Sequence, residues 1–76
     1  MTELIEFLAK SLVDHPDAVK VHTYDRGDQT VIELEVAQED LGKVIGRQGR
    51  TARAIRNVLA AATQNSRRRY VLDIVD

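Results

Sequence analysis

Two glycines stand three positions apart in the segment Gly42-Lys43-Val44-Ile45-Gly46-Arg47-Gln48-Gly49-Arg50, with cations around them. Glycine has no Cβ, so such a pair lets the chain turn sharply and lets another backbone come close. A helix starting at about Arg50 would aim its free N–H groups and its positive dipole end into that turn, which makes an anion site. Lys43, Arg47 and Arg50 add whole charges there, and Arg53 and Arg56 continue a basic track along the helix, displaced from its apolar face. A phosphodiester backbone suits this arrangement, because phosphates accept from cations and helix N-termini whatever the base.

Other chemistry finds less support. His15 and His22 stand alone, with no His, Cys or paired acid at ligand spacing, so no metal site is expected. Glu33 and Glu35 share a strand face without a partner base or nucleophile. Gly42-Lys43 has neither the spacing nor the Ser/Thr of a Walker A loop. No Ser/His/Asp or Cys/His set can be assembled, and neither an enzyme nor a cofactor is expected. Arg67-Arg68-Arg69 form a second basic cluster. It could extend the track, but cations beside a helix C-terminus are more simply a solvated loop.

Seventy-six residues hold one domain, with a thin core and no Cys to staple it. No run approaches the ~20 apolar residues of a membrane span, and the N-terminus lacks a signal-peptide pattern. A cytoplasmic protein with no membrane insertion is the expectation. The net charge of −1 hides a split. Residues 1–40 carry ten acids against three bases, a net −7, while residues 41–76 carry eight bases against two acids, a net +6. One face should be anionic and another cationic.

The elements follow from periodicity. Leu4, Ile5, Leu8, Leu12 and Val13 make a helical stripe over about 2–14, with Thr2 as a cap and the residue before Pro16 disfavouring further helix. Val19, Val21 and Thr23 alternate with polar neighbours. After a turn at 25–28, Ile32, Leu34 and Val36 alternate with Val31, Glu33 and Glu35, so the two runs read as a hairpin. Residues 39–45 read as a short helix opened by acids. From Arg50, the residues Ala52, Ile55, Leu59 and Ala62 recur on one helix face, and Tyr70, Leu72 and Ile74 mark a last strand. The order is α-β-β-α-α-β. A right-handed crossover through two helices makes the second and third strands parallel and puts all three helices on one side. The fold class is α+β, a two-layer sandwich with a three-stranded mixed sheet.

A G-x-x-G loop after Val44-Ile45, before a basic amphipathic helix and within this order, resembles the KH domain of type II. The resemblance covers the whole chain and is narrowest to small bacterial proteins made of one such domain. It implies single-stranded RNA held without catalysis by Lys43, Val44, Ile45, Gly46, Arg47, Gln48, Gly49, Arg50, Arg53 and Ile55. The bases would lie in a groove between the two central helices and the neighbouring strand, with Ile45, Ile55 and Val36 as candidates for its apolar floor. It also implies an RNA chaperone or post-transcriptional regulator. Its implied protein partners are a second copy, as a homodimer, and a larger multidomain KH-containing protein linked to cell elongation and division. With one Phe, two Tyr and no Trp, stacking on aromatic side chains cannot dominate, so binding should be loose and salt-sensitive. The rival reading is a protein-interaction module, with helix one, Val71 and Val75 as its apolar surface.

Overall fold

The architecture was taken from a computed structural model, which describes residues 2–75. The first helix, α1 (Thr2–Leu12), buries Ile5 and Ala9. The strands β1 (Lys20–Arg26) and β2 (Gln29–Glu35) pair antiparallel from Lys20↔Glu35 to Arg26↔Gln29. A single turn at Gln38–Asp40 leads into α2 (Leu41–Ile45), another at Arg47–Gly49 leads into α3 (Arg50–Ala62), and β3 (Arg69–Val75) closes the chain. β3 runs parallel to β2 from Gln29↔Arg69 to Glu35↔Val75, so the sheet order is β1-β2-β3 with β2 in the centre. The α-β-β-α-α-β order and the mixed sheet are as expected.

Alternation decides what each strand buries. Ile32, Leu34 and Leu72 point to the helices and join Ile5, Ala9, Val36, Val44, Ile55 and Leu59 in one core. Each large aliphatic among them stabilises the fold by roughly 1.5–3 kcal/mol relative to exposure. The other sheet face carries Val31, Glu33 and Glu35 on β2. Val31 is buried there, between Tyr24 and Val71 in the register.

Some boundaries differ from the sequence reading, each for a local reason. Thr2 is the first residue of α1 instead of its cap, and α1 ends at Leu12. The N–H groups of Asp14 and His15, which would have continued the helix, donate instead to the Asp40 carboxylate at 3.2 and 2.9 Å. The expected helix over 39–45 splits accordingly, because Asp40 turns inward as the one buried charged residue among those described. The second strand stops at Glu35, and Val36 is buried beyond it.

Asp40 thus latches the end of α1 to the start of α2, and Lys43 one turn later completes the latch. Its ammonium donates to Asp14 and lies 3.8 Å from Asp40. The hydrogen bond from Lys43, followed by the lysine's charge, holds the Asp14 carboxyl below its ordinary 3.8. The same hydrogen bond raises Lys43 above 10.5. A depressed carboxylate contributes stability that is present above its unfolded value and lost as pH falls through the folded one; a raised lysine contributes below its unfolded value and loses it as pH climbs. Wild type should therefore exceed D14N in urea midpoint at neutral pH, and the gap should close below about pH 4. D40A removes the acceptor from two backbone N–H groups and should cost about 3 kcal/mol by urea denaturation; a loss under about 1 kcal/mol would show that water replaces the carboxylate easily.

Candidate nucleic-acid interface

The corner between α2 and α3 is built on unusual backbone. Gly46 adopts φ 77°, ψ 169°, a region that is essentially glycine-only. Gln48 follows at φ 56°, ψ 26° and Gly49 at φ 74°, ψ 14°. At Gly46 there is also no room. An ideal Cβ would overlap the Thr51 hydroxyl and lie 2.7 Å from Thr51 Cβ and 2.8 Å from its backbone N. Gly49 needs its glycine for backbone conformation alone, since a Cβ there would meet nothing within 4 Å. The Gly46 N–H closes α2 onto the Gly42 carbonyl at 2.8 Å, and the Gly49 N–H closes the turn onto Gly46 at 3.1 Å. Neither bond uses the N–H of Arg47 or Gln48. Both of those residues are exposed, in the turn just before α3.

The expected site residues take different positions. Arg47, Arg50 and Arg53 are exposed, and among the described residues they form no ion pair. Lys43 is beside the loop in sequence, but its ammonium is held by Asp14 and Asp40. Val44 is fully buried and anchors α2 in the core. Of the three floor candidates, Ile45 keeps 37% of its surface, whereas Ile55 and Val36 keep 4% and 5%. Ile55 also turns toward α1, where it lines an apolar groove with Leu8, Leu12, Thr51, Ala54 and Val58.

Arg68 in the second basic cluster is structural. Its Nε donates to Thr30 Oγ1 and its Nη2 to the Gln29 carbonyl, both at 2.8 Å, and Asp25 lies at 3.2 Å. These contacts tie the residues before β3 to the β1–β2 hairpin. Arg67 and Arg69 are exposed. Sequence reading missed the role of Asp40 entirely. Its one signal was an acid at the start of the short helix, where Glu39 beside it looks the same. The described residues contain no group of three or more His, Cys, Asp or Glu that could hold a metal, and none of their helices is long and apolar enough to cross a membrane.

An α-β-β-α-α-β fold with a mixed sheet and a G-x-x-G corner between its two central helices is a type II KH domain. Comparison of the chain with known families agrees and narrows the class. The family model described as "KhpA/KhpB, KH domain" matches residues 2–74, and the chain belongs to that family. Among curated relatives, the RNA-binding protein KhpA of Halalkalibacterium halodurans is 53% identical over all of both chains. That of Borreliella burgdorferi is 51% identical over 97% of this chain and 90% of its own. That of Aquifex aeolicus is 43% identical over 100% and 96%. No solved structure gave a significant match.

The two glycines should respond differently to alanine. Gly46→Ala meets both a forbidden conformation and Thr51, and should cost about 3 kcal/mol or more in thermal or urea unfolding. Gly49→Ala bears only the left-handed penalty of about 1–2 kcal/mol. Equal losses at the two positions would contradict the close approach to Thr51.

Proposed function

We propose that this protein holds single-stranded RNA without catalysis, by seating backbone phosphates on the 46–49 corner at the start of α3. The observation that carries the reading is the corner itself. The exposed Arg47 and Gln48, whose N–H groups the turn does not use, stand just before a helix N-terminus, with Arg50 and Arg53 beside them, likewise in no ion pair among the described residues. Relatives spanning the whole chain are named RNA-binding proteins, which favours RNA as the anion. Gly46 and Gly49 give the corner its shape, Val44 holds it to the core, and Ile45 offers an apolar surface to a base. Lys43 serves the latch first and reaches phosphate only by leaving Asp14. Ile55 and Val36 support the groove from within the core. Acting in the cytoplasm, such a clamp suits an RNA chaperone or a post-transcriptional regulator.

With few phosphates engaged, affinity should be modest and should fall with salt, by about 0.7 in the log–log slope per phosphate. Changing Arg47 and Gln48 both to Asp places two carboxylates where phosphates would sit. The variant should keep its fold by circular dichroism and lose detectable binding to single-stranded RNA. Crosslinking to cellular RNA that persists in the variant would rule out a loop-centred clamp, as would a wild-type affinity that hardly changes with salt.

A second reading, association with another copy of the chain, rests on the groove between α1 and α3. Val58 and Leu12 there are 41% and 40% exposed. An exposed apolar groove between two helices can pack against the same groove of a second copy across a twofold axis. The larger multidomain KH-containing partner implied by the resemblance could use the same face, in a cell elongation or division complex. Equilibrium sedimentation should show a dimer that Val58→Asp dissociates; a monomeric wild type would remove this reading.

A further inference from the structure

The flank of α3 nearest the edge strand carries two arginines in different settings. Both are exposed and in no ion pair among the described residues, and Arg53 makes no side-chain hydrogen bond there either. Arg56, one turn later, is rotated toward the sheet: at about 100° per residue it lies about 60° closer than Arg53 to the core line of Ala52, Ile55 and Leu59. Its Nη2 donates to the backbone carbonyl of Leu72 at 3.4 Å. Leu72 sits at the middle of β3, which is an edge strand with backbone groups unpaired on its outer side. A contact of this length is weak and readily exchanged.

Resting on the RNA clamp described above, we propose that Arg56 is the specificity-determining residue of the groove between α3 and β3, and that it selects guanine. A guanidinium carries five donors in a planar fork, and Leu72 takes one of them. That bond places the guanidinium at the seam between α3 and β3 and leaves donors free for a base edge. Guanine presents O6 and N7 as a matched pair of acceptors; adenine replaces O6 with an amino donor, which a guanidinium rejects. No aromatic competes for this role. Phe7 is on α1, Tyr24 is on the sheet face away from the helices, and Tyr70 packs against the core. The planar guanidinium is the group at this edge able both to lie against a base and to donate to it.

The test is binding of four uridine-rich octanucleotides that differ only in one central base, G, A, C or U, measured by fluorescence anisotropy at one salt concentration. Wild type should bind the G oligonucleotide tightest, by about tenfold over A. R56L should lose most of that margin, weakening the G oligonucleotide far more than the other three. R56K keeps the charge and a long stem but lacks the fork. It should lose the margin likewise, and it decides the matter if R56L melts early. A G preference surviving in R56K, or a uniform loss across all four oligonucleotides, overturns the assignment by making Arg56 irrelevant or a plain phosphate contact. Equal wild-type affinity for all four also overturns it while leaving the clamp standing. A wild type that binds none of the four removes the clamp and this inference together.

Discussion

At the corner between α2 and α3 the backbone of Gly46 lies so close to Thr51 that no Cβ fits between them, and the candidate site depends on that approach. It forces Gly46 into an extended positive-φ conformation and reverses the chain within a few residues. α3 therefore begins with its first turn facing the loop. The helix before it could not impose this geometry alone. α2 has five residues, far fewer than an isolated helix needs in water. It is fixed from outside, by Gly46 against Thr51 at one end, Asp40 beneath the α1–β1 connection at the other, and the buried Val44 between. A small domain with no disulfide gains rigidity where its site needs it from one buried carboxylate and one missing side chain.

The same structure sorts the cations. Lys10 pairs with Glu6 along α1, Lys43 with Asp14 and Asp40, and Arg68 with Asp25. Lys43 and Arg68 are thereby committed to holding elements together, and Lys10 to its own helix. Arg47, Arg50 and Arg53 are left without acidic partners among the described residues, and they follow one another from the corner along α3. The half-chain charge split pointed to a cationic region, but the ion pairs define it. They remove the lysine nearest the loop and the central arginine of the 67–69 cluster from the set available to a ligand. What remains beside the corner and along α3 is a short row of arginines, Arg56 included, enough for a few phosphates and too little for a broad basic surface.

Much of this was legible from residue spacing because periodicity and glycine placement are local signals. The period-2 runs gave β1, β2 and β3, the 3.6-residue stripes gave α1 and α3, and two glycines three apart marked the corner. What escaped was set by contacts distant in sequence. Asp40 bonds to residues 25 and 26 positions away, so nothing beside it showed whether it would cap α2 or turn inward. The early end of α1 has the same cause. Arg68 likewise meets Thr30 and Gln29 across 38 and 39 positions, and in sequence it looks no different from Arg67 or Arg69. Ile55 was rightly read as apolar and facing inward, but periodicity places a residue on a face without saying which neighbour that face meets.

The two readings of function are physically compatible because α3 has two usable flanks. Arg50, Arg53 and Arg56 occupy one, where Arg56 meets β3; Thr51, Ala54 and Val58 occupy the other, against α1. At about 100° per residue the centres of these flanks lie well over a quarter turn apart, with the core line on one side between them. A second copy docked on the α1 side would leave the proposed RNA flank open. It would also answer the weakness of a single clamp. Two copies held together make the second contact with one RNA intramolecular, and its effective concentration then multiplies the affinity without any new contact to a base. In that arrangement the corner would supply phosphate binding, the arginine at the edge strand selectivity, and the exposed Leu12 and Val58 strength, by keeping two weak sites on one strand. The thinness of the domain then becomes an advantage, because the apolar surface it cannot bury by itself is the surface through which copies would join.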